Sequence, residues 1–199
     1  MAANVTAFQP KPLLPFDPGQ PADVRRDRLV AALPPALQDV LSGGRVENRS
    51  RFSEDGFDGV AESWSPPALT VQHRMLARQA LDELDAGILA PASADHLLAR
   101  VLALLSHFPA KGMTPEVERL VALDWADDLG EYPAWAIDAA ARRWRRTRKW
   151  RPSIAEMRVL CEEACSRERN LAARLRAVAC APDRAGEGRL AVDSATRRK

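Results

Sequence analysis

The chain has 199 residues, with 15 prolines against 10 glycines and 29 Lys and Arg against 27 Asp and Glu, a net charge of +2. That length holds one ordinary domain, or a smaller one with tails, and the near-neutral balance excludes the global field of a bulk polyanion binder. No apolar run reaches the roughly 18 residues of a membrane span, and the N-terminus lacks the basic-then-apolar order of a secretory signal.

In chain order, residues 1–65 come first. Pro10, Pro12, Pro15, Pro18, Pro21, Pro34 and Pro35 punctuate them, and a Gly/Ser/Arg/Asp-rich stretch follows over 42–59. Few large apolar residues recur there at a fixed spacing, so ordering costs of about 1–2 kcal/mol per residue go unmatched. This predicts a long disordered Pro-rich arm, relieved at most by a short helix over 22–33 or 35–41. Phe8, Leu13, Leu14 and Phe16 stand in it as apolar anchors of the kind that fold onto a partner.

The middle, 66–180, reads as helical throughout. Leu76, Ala80 and Leu84 form one stripe, with Leu81 and Ile88 beside it and Gly87 as a stop. Ser93 caps the next helix, with Asp95 in its first turn, and Leu97, Leu98, Val101, Leu102, Leu104 and Leu105 cover so wide an arc that this helix is expected at the centre. Thr114-Pro115-Glu116 starts another, carrying Val117, Leu120, Val121, Trp125 and Leu129. Pro133 opens a fourth with Ile137, Ala140, Ala141 and Trp144 on one side. Ser153 and Glu156 form a capping box for a last helix running to about Cys180. The expected fold is therefore an all-α bundle of about five helices without strands, joined by short links that favour antiparallel neighbours. Beyond it, 181–199 ends in Arg197-Arg198-Lys199 and reads as a flexible basic tail.

Catalytic chemistry finds little support. His73, His96 and His107 are scattered. Cys161 and Cys165 are spaced for one helix face, yet no second ligand pair accompanies them, and small core residues are the better reading. Three cysteines, an odd number in one helical segment, also suit a reducing cytoplasm better than a disulfide scaffold. The carboxylate pairs Asp127-Asp128 and Glu162-Glu163 diverge by about 100° on a helix and do not converge on one substrate. No Gly-rich phosphate loop is present. The expectation is a protein without enzymatic activity, cofactor, metal or small-molecule substrate.

Charge comes in blocks instead. Glu116, Glu118, Asp124, Asp127, Asp128 and Glu131 stand against Arg119, a local net of −5. Then Arg142, Arg143, Arg145, Arg146, Arg148, Lys149 and Arg151 sum to +7 with no acid among them. The two blocks can pair with each other across neighbouring helices, or one of them can take a charged partner. Trp125 and Trp144 lie on apolar stripes and belong to the core, whereas Trp150 either lids the bundle or stands exposed as a stacking platform for single strands. Partner or nucleic-acid contact is assigned to Arg142, Arg143, Arg145, Arg146, Arg148, Lys149, Trp150 and Arg151.

Leu129-Gly130-Glu131-Tyr132-Pro133, the amphipathic stretch from Ala134 to Ala140, and Pro152-Ser153-Ile154-Ala155-Glu156-Met157-Arg158 together resemble the small phage-encoded, non-ATPase loaders and inhibitors of replicative helicase. The likeness covers residues 113–160, with Trp150-Arg151-Pro152 where the family has Phe-Pro-Pro. It implies a helical domain with a flexible segment that grips the hexameric helicase at a phage origin, and no cofactor; the cysteines and the lack of a long apolar run separately point to a cytoplasmic setting without membrane contact. The alternative from the residues alone is a nucleic-acid-binding module, a regulator or small packaging subunit, that uses the Arg/Trp-rich helix end on DNA.

Overall fold

The computed structural model describes residues 14–182 apart from 55, 109–111 and 113. Its organising element is the last helix, α7 (Ile154–Ala179), 26 residues long and about 39 Å at 1.5 Å per residue. Along its two halves lie two hydrophobic clusters. Met157, Cys161 and Cys165 join the first, with α4 (Ala94–Leu105), α5 (Pro115–Leu129) and α6 (Ala134–Thr147). Leu171, Leu175 and Val178 join the second, with α1 (Ala22–Ala32), α2 (Pro35–Ser42) and α3 (Val71–Glu83). The fold is the expected helical bundle, with seven α-helices among the described residues rather than five.

The additional helices lie in the segment expected to be disordered. Leu29, Leu33, Leu37, Val40 and Leu41 are buried in the second cluster, so α1 and α2 pack into the helical body instead of forming a disordered arm. A polar contact across 143 residues adds to this apolar burial. Arg25 Nε donates to Glu168 Oε1 at 2.8 Å, and its Nη2 reaches Glu168 Oε2 at 3.4 Å and the Ala164 carbonyl at 2.8 Å. Arg25 Nη1 donates to the Gln20 carbonyl at 2.9 Å, while the Phe16 and Trp135 rings flank the guanidinium at 5.8 and 4.9 Å. Leu14 is buried and Phe16 packs against Trp135, so two of the four arm anchors close on the chain itself. Phe8 and Leu13 lie outside the described residues, as does the tail beyond Pro182.

Strands, too, are present where none was expected. β1 (Arg45–Ser53) and β2 (Gly56–Ser65) form an antiparallel hairpin in which Arg45 faces Ser65 and Val46 faces Trp64. Gly56 takes the turn at φ +113°. Trp64 packs against the second cluster, and a Cβ on Gly44 would stand 2.1 Å from its indole nitrogen, so only glycine lets the strand start beneath that ring. The polar alternation of the hairpin hid it, because neither strand carries a run of apolar residues.

Most expected helix signals hold, although Gly87, expected as a stop, lies inside a helical turn and Thr114 stands at the start of α5 without a side-chain cap bond. Ser93 caps α4 by accepting from the His96 N–H, and the Ser153/Glu156 box opens α7. Thr70 and His73 form a second box at α3, whose end unwinds into a π-helical turn over Leu84–Ile88. Centrality is corrected: α7, not α4, runs between the clusters, and Leu102 on the outer side of α4 is 57% exposed. No helix among the described residues is long and apolar enough to cross a membrane.

Candidate interaction surface at the basic end of α6

Helix α6 is amphipathic at its basic end. Ile137, Ala140, Ala141 and Trp144 are buried, and Arg142, Arg143, Arg145 and Arg146 are exposed around them. Arg142, Arg145 and Arg146 share one side at i, i+3 and i+4. Arg143 lies on another and is held by Glu163 of α7. The helix stops at Thr147, whose hydroxyl donates back to the Arg143 carbonyl at 2.8 Å.

The following loop is pinned from beneath. The buried Trp144 indole N–H donates to the Trp150 carbonyl at 2.9 Å, and the two rings meet edge-on with centroids 6.3 Å apart. Arg148 lies over both rings, 5.7 Å from Trp144 and 5.4 Å from Trp150. Trp150 is therefore fixed by its backbone while 53% of it stays exposed, so it is neither a full lid nor a free platform. The Ser153 backbone N–H, and then its hydroxyl, hold the Glu156 carboxyl below the usual range, with Arg148 adding a smaller pull. Arg142, Arg145, Arg146, Lys149 and Arg151 pair with no carboxylate among the described residues.

The acidic block does not neutralise them. Its C-terminal acids turn to α7: Arg158 reaches Glu131 at 2.9 Å and Asp128 at 3.5 Å, and Arg169 reaches Glu131 at 3.2 Å. Arg169 also stands 4.6 Å from the buried Tyr132 ring, whose hydroxyl is pushed up first by burial and then by the Glu131 and Glu162 charges. Of the two alternatives, pairing between α5 and α6 is not the one seen: Asp128 and Glu131 pair with α7 instead. Glu118, Asp124 and Asp127 pair with no cation among the described residues.

No family model, curated protein or solved structure matches the chain. The surface therefore stands on its own geometry. One part of it was missed by sequence reasoning. An apolar groove of about 320 Å³ runs between α4 and α5, lined by Leu98, Val101, Leu105, Val121 and Trp125, with Glu118 and Arg151 also on its walls. The exposure of Leu102 and Leu120 beside it was the missing signal, because a stripe pattern does not say which apolar residues find a neighbour.

The remaining polar candidates are structural. Cys161 and Cys165 are buried in the first cluster, with the Cys165 thiol 3.1 Å from the Cys161 carbonyl. Burial pushes Cys161 up to about 12 and Cys165 to about 11, so both are thiols at neutral pH. Asp138 of α6 accepts from Arg100 at 2.6 Å and sits 3.1 Å from His96 Nε2, which ties α6 to α4. His73 serves its cap, and no cluster of three or more His, Cys, Asp or Glu residues that could hold a metal occurs among the described residues.

Proposed function

We propose that this protein is a non-enzymatic binding adaptor, one that takes an acidic partner on the basic end of α6 and the loop behind it. The observation that carries this reading is the set of unpaired cations, Arg142, Arg145, Arg146, Lys149 and Arg151, around a backbone-pinned, half-exposed Trp150. A structural charge block would have been neutralised by α5, and this one is not. The partner we infer from the resemblance over 113–160 is a replicative helicase, in a phage or prophage replication system acting in the cytoplasm. Desolvating an aromatic anchor inside a ring of arginines is how such a surface gains affinity, while the charges steer encounter.

A second reading, nucleic-acid binding, is favoured by Arg148 stacked over Trp150, since an indole face with a guanidinium beside it also suits an unpaired base. Capture of host proteins on the immobilised chain, with and without nuclease and at two salt concentrations, separates them. A nuclease-resistant band of helicase size supports the adaptor. Binding that nuclease abolishes, with log K falling about 0.9 per phosphate against log salt, supports the second reading and overturns the first. Reversing Arg142, Arg145 and Arg146 to Glu weakens capture in either case and leaves helicity unchanged, because all three side chains are exposed.

A further inference from the structure

Two opposite charge blocks on one molecule each keep unpaired members, Glu118, Asp124 and Asp127 in one and Arg142, Arg145, Arg146, Lys149 and Arg151 in the other. The acidic one is more than acid. Val117, Leu120 and Leu123, at a spacing of three along α5, are 43%, 61% and 49% exposed, and the unpaired Asp124 and Asp127 stand among them. The basic one is likewise more than base, because Trp150 projects from it. Arg151 and Glu118 both line the α4–α5 groove, so a cation of the basic loop and an acid of α5 share one groove, and the leucine ridge lies on the other side of α5.

A ridge of leucines and acids beside a loop of arginines and tryptophan is complementary to itself after a two-fold rotation. Each copy's ridge then meets the other's loop, and every contact is made twice. A nucleic acid would satisfy the loop alone and leave the leucines and acids of α5 uncovered. A second copy satisfies both surfaces together. We propose that the chain forms a two-fold homodimer in which the α5 ridge of each copy covers Trp150 and the unpaired cations of the other. This does not depend on which partner the basic end later takes. Dimer and partner use the same cations, so binding the partner opens the dimer.

The test is the mass of the full chain by sedimentation equilibrium, from about 1 to about 100 µM, at about 0.05 and 0.5 M salt. The protomer is 21.9 kDa, and the expected result is twice that at low salt with weaker association at high salt. Asp124→Arg/Asp127→Arg and Arg145→Glu/Arg146→Glu are each expected to be monomers. Mixed in equal amounts they are expected to form a heterodimer, because one variant then presents two basic surfaces and the other two acidic ones. Leu120→Ser, a change confined to an exposed side chain, is expected to weaken association at least tenfold with the charges intact. A wild-type mass that stays at one protomer, a charge-reversed variant that still dimerises alone, or a mixture that stays monomeric would overturn the proposal.

Discussion

Arg25 shows what a single residue decides. Its guanidinium is almost fully buried against a fully buried Glu168, and each polar atom of the pair that the fold encloses is matched. Removing one partner from such a pair costs about 3–5 kcal/mol, because the other is left charged without compensation. Arg25→Met is therefore expected to lower the unfolding free energy by that much in a urea titration. Arg25→Met/Glu168→Leu is expected to recover most of the loss. The cysteines make a second residue-scale case. With Cys161 held at about 12 and Cys165 at about 11 against an ordinary 9.0, the unfolded chain loses these protons first as pH rises. Their contribution is complete below about pH 9 and is lost progressively up to about pH 12. The urea midpoint should fall between about pH 8 and about pH 10, and this alkaline slope should flatten in Cys161→Ala/Cys165→Ala. Native protein should yield one fast-reacting thiol to a disulfide reagent, the exposed Cys180, and three after denaturation.

At the scale of elements, start signals written within four residues were legible. Ser153→Ala removes a hydroxyl that accepts from the Glu156 N–H and should cost about 1 kcal/mol, read as a fall in the midpoint of the far-ultraviolet helical signal. The same locality explains why α4, α5, α6 and α7 could be placed by stripes and stops, and why Ile137, Trp144 and Trp125 could be assigned to the core. What escaped was set by distant residues. α1 is mostly polar on its surface, has no side-chain cap and buries only Leu29 and Arg25, the latter reaching α7. The hairpin shows hardly any apolar alternation, and its anchor is Trp64 seated over Gly44 and under Arg174. Of the candidate surface, the residue types and their clustering were readable. Which charges stay unpaired was not, because that follows from Asp128 and Glu131 turning to Arg158 and Arg169 rather than to α6.

On the whole molecule, α7 lies in both clusters, and each cluster lacks one wall without it. Heat or urea should therefore unfold both halves in one transition, with tryptophan fluorescence and far-ultraviolet dichroism giving the same midpoint. A substitution deep in either half, such as Leu175→Ala or Met157→Ala, should lower that shared midpoint rather than split it. The position of α7 in the sequence has a consequence in time. Every other element is synthesised before residue 154 is joined to the chain, so the elements that have emerged by then wait with their apolar faces open for the helix that closes them. Nascent chains halted before Ile154 should be cut freely by protease, and protection should arrive as a single step once α7 has emerged.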